Sequence, residues 1–579
     1  MGLINAFNSL FTDKSNEAKP SAGVLDELPE LELNMPDSEL IALSNQWEER
    51  YKPYETEVKK RQDKNKDYWK GKHEANKYDS KAQVDNLIFE ALETFLPLAT
   101  KKNPEPFVRG DESEESQALA KTVQNMLIYH ADRLRMKLRL KMVCRDWAIK
   151  LIGVKKHGWS EVENDIVSEV RKPENMIFDT EGTINCDMEY TGRYLGERMS
   201  AKASELIERF PNKEEFITKK VEGKLGTTVQ YTEWWACNPA DYMFWKCDGE
   251  ILGKAMNPHW NYEEEKPQID EYGAETMVKV PGRNHFNTPK APYTFLGGVY
   301  NTGDSPHDET SLIEQSIPMQ DIINDRQKQI KLNIASMNPG LIVSLAGAGM
   351  NEDQATRATE AYRGGGTVCI PNGSPTDAIY QPVPPGLPGD VFSQLADTRE
   401  ELRNVFGTRG SSPSGTVNEQ TATGKTIVRE QDSDRIGGGI TEYLEQFADA
   451  EFNWYLQLMA VYYDETHTAA VVGAEKAMEY ISLSSADLVS KLTVSVKEGS
   501  LIPDSDIEKS TEAKDLLSQG NIDPITAFDR MGFSNPRETA ERTFTWKADP
   551  GLLFPEKDAE IKAREQQTMM NQLAMQPVK

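Results

Sequence analysis

Residues 311–337, SLIEQSIPMQDIINDRQKQIKLNIASM, set Ile313, Ile317, Ile323, Ile330, Ile334 and Met337 in a thin stripe along one long helix. Ser311 suits the N-cap, with Glu314 at the capping-box spacing. Asp321, Asp325 and Lys328 form a polar stripe at i, i+4 and i+7. Pro318 removes a backbone hydrogen bond and bends the rod, and Asn338-Pro-Gly stops it. At 1.5 Å per residue the rod spans roughly 40 Å. A second helix is expected over Gly389–Phe406, with Val391, Leu395, Leu402 and Phe406 on one face and Asp390, Asp397, Arg399 and Arg403 largely elsewhere. Between them, 341–345, 352–362, 367–370 and 378–381 read as a small β-α-β-like unit, closed by the Pro-rich run 382–388. Two rods with such narrow seams suit packing against copies of themselves better than a monomer's core.

After the second rod comes Thr408-Arg-Gly-Ser-Ser-Pro-Ser-Gly-Thr416, a polar stretch that reads as a loop, and then NEQTATGKTIVRE at 418–430. Gly424-Lys425-Thr426 imitates the end of a phosphate-binding loop. A true one needs GxxxxGK[ST] between a strand and a helix, so that successive N–H groups wrap the phosphates. The first glycine falls at 419, which is Glu, and no strand precedes it. The triplet is a decoy and heads a helix expected to run to about 464, with Thr421 or Thr423 as its cap. Gly437-Gly438-Gly439 interrupts that helix, since each interior glycine costs about 1 kcal/mol relative to alanine.

The five cysteines are dispersed without CxxC spacing, and the seven histidines form no HExxH. Neither a disulfide framework, a metal site nor a catalytic triad is expected. A net charge of −27 argues against tight non-specific DNA binding through counterion release. No apolar run reaches the ~18–20 residues that span a bilayer, and residues 1–11 lack the marks of a signal peptide or an acylation site. The chain therefore reads as soluble and intracellular, and at 579 residues as several subdomains.

Residues 1–40 carry eight acids and two bases and read as an arm. Helix is expected from Ser38 to about Thr100 and from about Glu112 to Ile152, with Leu134, Leu138 and Met142 as the latter's apolar spacing. Nine bases lie between Arg133 and Lys156 against one acid, Asp146. The plainer reading is a face balancing an acidic neighbour; the sharper one is contact with nucleic acid or an acidic partner. Residues 154–300 alternate short β-rich runs, among them 165–170 and 228–235, with turns and one helix near 204–210. Trp234, Trp235, Trp245 and Trp260 read as core or interface. The fold class is α+β, mainly helical.

The order of long helix, small α/β insertion, returning helix, Gly/Ser/Pro loop and kinked helix resembles the portal proteins of tailed bacteriophages. The likeness is carried by SLIEQSIPMQDIINDRQKQIKLNIASMNPGLIV (311–343), LADTREELRNVFGTRGSSPSG (395–415) and NEQTATGKTIVREQDSDRIGGGITEYLEQF (418–447), where family members tend to show Thr-Ala-Thr. AIKLIGVKKHGWSEVENDIVSEVRKPENMIFD (148–179) resembles the family's wing segment. The resemblance covers roughly 40–500. It implies an acidic arm (1–38), a wing (39–311), a first stem helix (312–337), an α/β clip (338–386), a second stem helix (387–407) and a tunnel loop (408–419). A long kinked helix with wing return (420–500) and a helical crown (501–579) complete it.

The resemblance further implies a homododecameric ring at one capsid vertex of the virion, assembled in the host cytoplasm, through which double-stranded DNA slides. Expected partners are the terminase large subunit, whose motor hydrolyses ATP on the clip, head-completion or adaptor and tail proteins, and the major capsid protein. No enzyme activity, cofactor, metal or membrane belongs to it. Tunnel-loop candidates for meeting DNA are Arg409, Ser411, Ser412, Asn418 and Lys425. Asp321, Asp325, Lys328, Lys331, Arg399 and Arg403 are the stem candidates for the channel or for subunit contacts. The alternatives are another structural ring or adaptor of a virion, or a nucleic-acid motor with a phosphate loop.

Overall fold

The computed structural model describes residues 35–73, 84–336, 342–363, 369–409 and 436–548, with short gaps inside these spans, and short pieces of 562–568. Pro36 and an acidic first turn start the long helix α1 (Asp37–Trp69). Asn86 accepts from Phe89 N–H and caps α2 (Leu87–Ala99); Ser113 does the same for α3 (Glu114–Arg133) through Ser116 N–H. Helix is interrupted at Leu134–Arg135, where Arg135 turns to a left-handed φ of 50°, and resumes as α4 (Met136–Lys150). The expected continuous helix over 112–152 is thus two helices. The expected apolar spacing is also corrected. Leu138 and Met142 are 55% and 51% exposed, while Met136, Leu140, Val143, Cys144 and Trp147 form the buried line. An alternating run puts apolar side chains on both sides of a helix, and tertiary contacts choose between them.

Two antiparallel sheets follow. One orders Tyr293–Leu296, Gly153–Ser160 and Asp165–Arg171; the other is a meander of Met176–Phe178, Tyr194–Lys202, Thr228–Ala236, Tyr242–Cys247 and Glu250–Met256. The first half of α1 lies in this strand-rich core: Trp47 stacks on Tyr194 at 4.4 Å and meets Trp234 at 5.3 Å. Trp234, Trp235 and Trp245 are core residues, as expected. Glu197 and Glu233 are buried beside them. Lys156 pairs with both, Tyr293 donates to Glu197 at 2.8 Å, and Trp235 and Trp245 donate to Glu233 at 2.8 and 3.0 Å. Burial alone raises the Glu233 carboxyl, but Lys156 and the indole donors outweigh it and hold it at about 2.

A second core joins α2, α3, α4 and the bases of two further helices, α5 (Leu312–Ser336) and α6 (Gly389–Phe406). The chain between them pairs Ile342–Val343 with Ile379–Tyr380, antiparallel, around the helices Leu345–Ala348 and Glu352–Arg363. Of the run expected at 367–370, only Cys369 and Ile370 are described, and neither is strand. After Ile436 a π-type turn spans Gly437–Thr441, with Gly439 at φ −110°, ψ −112°, before α7 (Glu442–Tyr462). Gly439 thus leaves helical φ/ψ at the expected interruption, while the expected helix before Ile436 lies outside the described residues. Lys155 and Glu451, both fully buried and 2.5 Å apart, tie the three-stranded sheet to α7. Thr493–Val496 then returns to pair with Pro106–Arg109, and helices Asp506–Ser518, Pro524–Arg530 and Pro536–Ala548 follow. No helix among the described residues is long and apolar enough to cross a membrane.

Candidate functional site

The hairpin of α5 and α6 is built from its base. Ser311 Oγ accepts from Ile313 N–H at 3.0 Å and donates to the Ala148 carbonyl, so the cap also fastens α5 to α4. Glu314 completes the capping box by accepting from Ser311 N–H at 3.2 Å. Its carboxylate also receives a bidentate clamp from Arg61 of α1 at 2.9 and 2.8 Å. The same guanidinium reaches the His307 and Glu309 carbonyls at 2.9 and 2.6 Å. The Glu314 bond, opposed by burial, raises the Arg61 pKa above its ordinary value. Burial pushes the His307 imidazole down to about 3, so it is neutral beside that cation.

Nearly two turns on, Gln320 is fully buried and acts as a second cap. Its Oε1 accepts from Leu87 N–H at 3.1 Å, and its Nε2 donates to the Asp85 carbonyl at 2.7 Å, holding the start of α2. Asn324 bonds His73 at 2.9 Å, and Tyr68 donates to Asp321 at 2.8 Å. From α6, Arg399 pairs with Asp85, and the buried Arg403 with Glu90 at 3.2 Å. These groups grip both helices at one end of the hairpin.

Beyond that grip the apolar stripe loses its cover. Ile313, Ile317 and Ile323 are buried and Ile330 is half-buried, while Leu332 and Ile334 are 61% and 59% exposed. Ile322 and Phe392 are exposed as well. Met337, the last residue of the expected stripe, lies outside the described residues.

The stem candidates therefore divide. Asp321, Arg399 and Arg403 engage α1 and the segment 85–90 of their own chain, whereas Asp325, Lys328 and Lys331 are exposed on the outer half of α5. Arg409 pairs back to Glu400 on α6. Ser411, Ser412, Asn418 and Lys425 lie outside the described residues, as does most of the 408–419 loop. No family model matches the chain, and no curated protein matches it significantly.

Sequence reasoning missed Gln320, Asn324 and Arg61. An amide pair at i, i+4 inside an otherwise apolar arc is the signal that could have found the first two. Of the nine bases at 133–156, five are paired with acids: Arg133 with Asp165, Arg145 with Glu93, Lys150 with Asp146 and Glu174, Lys155 with Glu451, and Lys156 with Glu197 and Glu233. That much is the plainer reading of the run. Among the described residues no group of three or more His, Cys, Asp or Glu could hold a metal, and all five cysteines are free.

Proposed function

We propose that this chain is a subunit of a tailed-bacteriophage portal, a ring through which double-stranded DNA is packaged, retained and released. The observation that carries the reading is the half-covered hairpin. Its base is fixed by own-chain caps and ion pairs, and its outer half carries exposed Leu332, Ile334 and Phe392. A lone chain leaves that apolar surface in water, and a ring of copies removes it by setting each hairpin against the next.

The charge balance suits the same task. Twelve chains at −27 bring −324 in formal charge to an assembly around a polymer with about one negative charge per 1.7 Å. A mostly acidic bore repels DNA and lets it slide, while Lys328 and Lys331 supply weak contacts without base readout. The small unit between α5 and α6 is the docking platform for a separate motor and for the proteins that complete the head. Negative-stain microscopy of the purified protein tests this: rings with a central hole are expected. Monodisperse monomers at micromolar concentration would sink the reading.

A further inference from the structure

Four of the nine bases in the 133–156 run, Arg135, Lys137, Arg139 and Lys141, make no ion pair with a described residue. On α4, Lys137 and Lys141 stand one turn apart, and Leu138 and Met142 form a parallel row beside them. Both apolar side chains are more than half exposed. Near the start of α4 lies an open cavity of about 940 Å³ lined in part by Lys102, Phe107, Arg109 and Ile128. Asn103 on its rim joins the two, accepting from Lys137 N–H at 3.0 Å and donating to Asp132 at 2.8 Å.

A basic row beside an apolar row is a poor match to a phosphate backbone, which gains nothing from Leu138 or Met142. It matches a segment in which acids and leucines alternate. This chain contains one at Leu25-Asp-Glu-Leu-Pro-Glu-Leu-Glu-Leu33, within a stretch, residues 20–49, that has no Lys or Arg. We infer that the exposed face of α4 is the docking site for residues 25–33 of a neighbouring copy. Leucines would cover Leu138 and Met142 and enter the cavity, and Asp26, Glu27, Glu30 and Glu32 would face the lysines.

The neighbour is the source because of where the arm leaves its own chain. Met35 packs on the strand-rich core and takes a hydrogen bond from Lys254. About 38 Å of α1 then separates Asp37 from Gln62, which is the residue bonded to the end of α4 at Lys150. The inference rests on the ring reading and adds an arm-to-neighbour strap to it.

The test places a photo-crosslinking amino acid at position 138 of the full chain, co-expressed as isotopically heavy and light copies. Mixed heavy–light crosslinks to residues 25–33 are expected. Lys137→Glu with Lys141→Glu should lower their yield about tenfold, and Asp26→Lys, Glu27→Lys, Glu30→Lys and Glu32→Lys in the same chain should restore it. Crosslinks confined to one chain, crosslinks to nucleic acid, or none at 25–33 would each overturn the strap. Rings without the crosslink leave the portal reading standing, and inter-copy crosslinks without rings remove that reading alone.

Discussion

In the strand-rich region Trp47, Tyr194, Trp234 and Phe244 lie ring against ring and are all buried, and the two carboxylates among them have charged or indole partners. Along α5, no isoleucine of the stripe after Ile323 is fully buried, and Leu332 and Ile334 stand in water. The first region buries its rings and pairs its carboxylates with one chain; the second is apolar where one chain leaves it exposed. Substitutions in the first should therefore be felt as folding defects and substitutions in the second as assembly defects.

The largest expected effect is in the closed core. Trp234→Ala removes a fully buried indole that Gly196 and Tyr194 pack around, and should cost about 3–5 kcal/mol, read by chemical denaturation. Glu451→Gln should cost nearly as much, about 3 kcal/mol, because it strands the Lys155 ammonium without its anion. Burial lowers the pKa of Lys155 and raises that of Glu451, so each resists charge without the other. Replacing both by apolar residues of similar size should recover most of the loss.

A smaller effect sharpens the comparison by pH. Burial and the nearby Asp187 raise Asp449 to about 6, above the ordinary aspartate value. Between pH ~4 and ~6 the folded chain holds this proton and the unfolded chain does not, so stability falls as pH rises through that window. Asp449→Asn should therefore melt higher than the parent at pH 7.5, by roughly 2 kcal/mol of stability, with little difference at pH 4. Equal gains at both values would mean that the carboxyl is not the cause.

The smallest effect on folding is the most informative. Leu332→Ser with Ile334→Ser should change unfolding free energy by less than about 0.5 kcal/mol, since both sites are exposed in the single chain. The same pair should abolish rings in microscopy. Loss of folding instead would erase the contrast between the two regions.

Local pattern was enough for α6, whose bounds and buried face of Val391, Leu395, Leu402 and Phe406 match the expectation, for the Ser311–Glu314 box and for the non-helical Gly439 at the expected interruption. Each is fixed by side chains within a turn or two of one another. What could not be read there depends on partners far along the chain. Arg399 and Arg403 meet Asp85 and Glu90, Glu314 meets Arg61, and α4 turns Leu140 rather than Leu138 inward because α1 and the sheets lie on that side. The antiparallel pairing of Ile342–Val343 with Ile379–Tyr380 likewise follows from how the segment folds back, which a β-α-β-like order of runs leaves open.

The grip on α5 ends near Asn324, twelve residues before Ser336. About 18 Å of helix therefore extends past the amides that tie α5 to α2 and His73, held to α6 by Arg326, which donates to Gln394 at 2.7 Å. A sideways push at the free end becomes a turning moment on Gln320 and Asn324, and through them on the first turn of α2 and on His73. Whatever leans on the small unit between the rods has, in those two amides, a lever into the rest of the subunit.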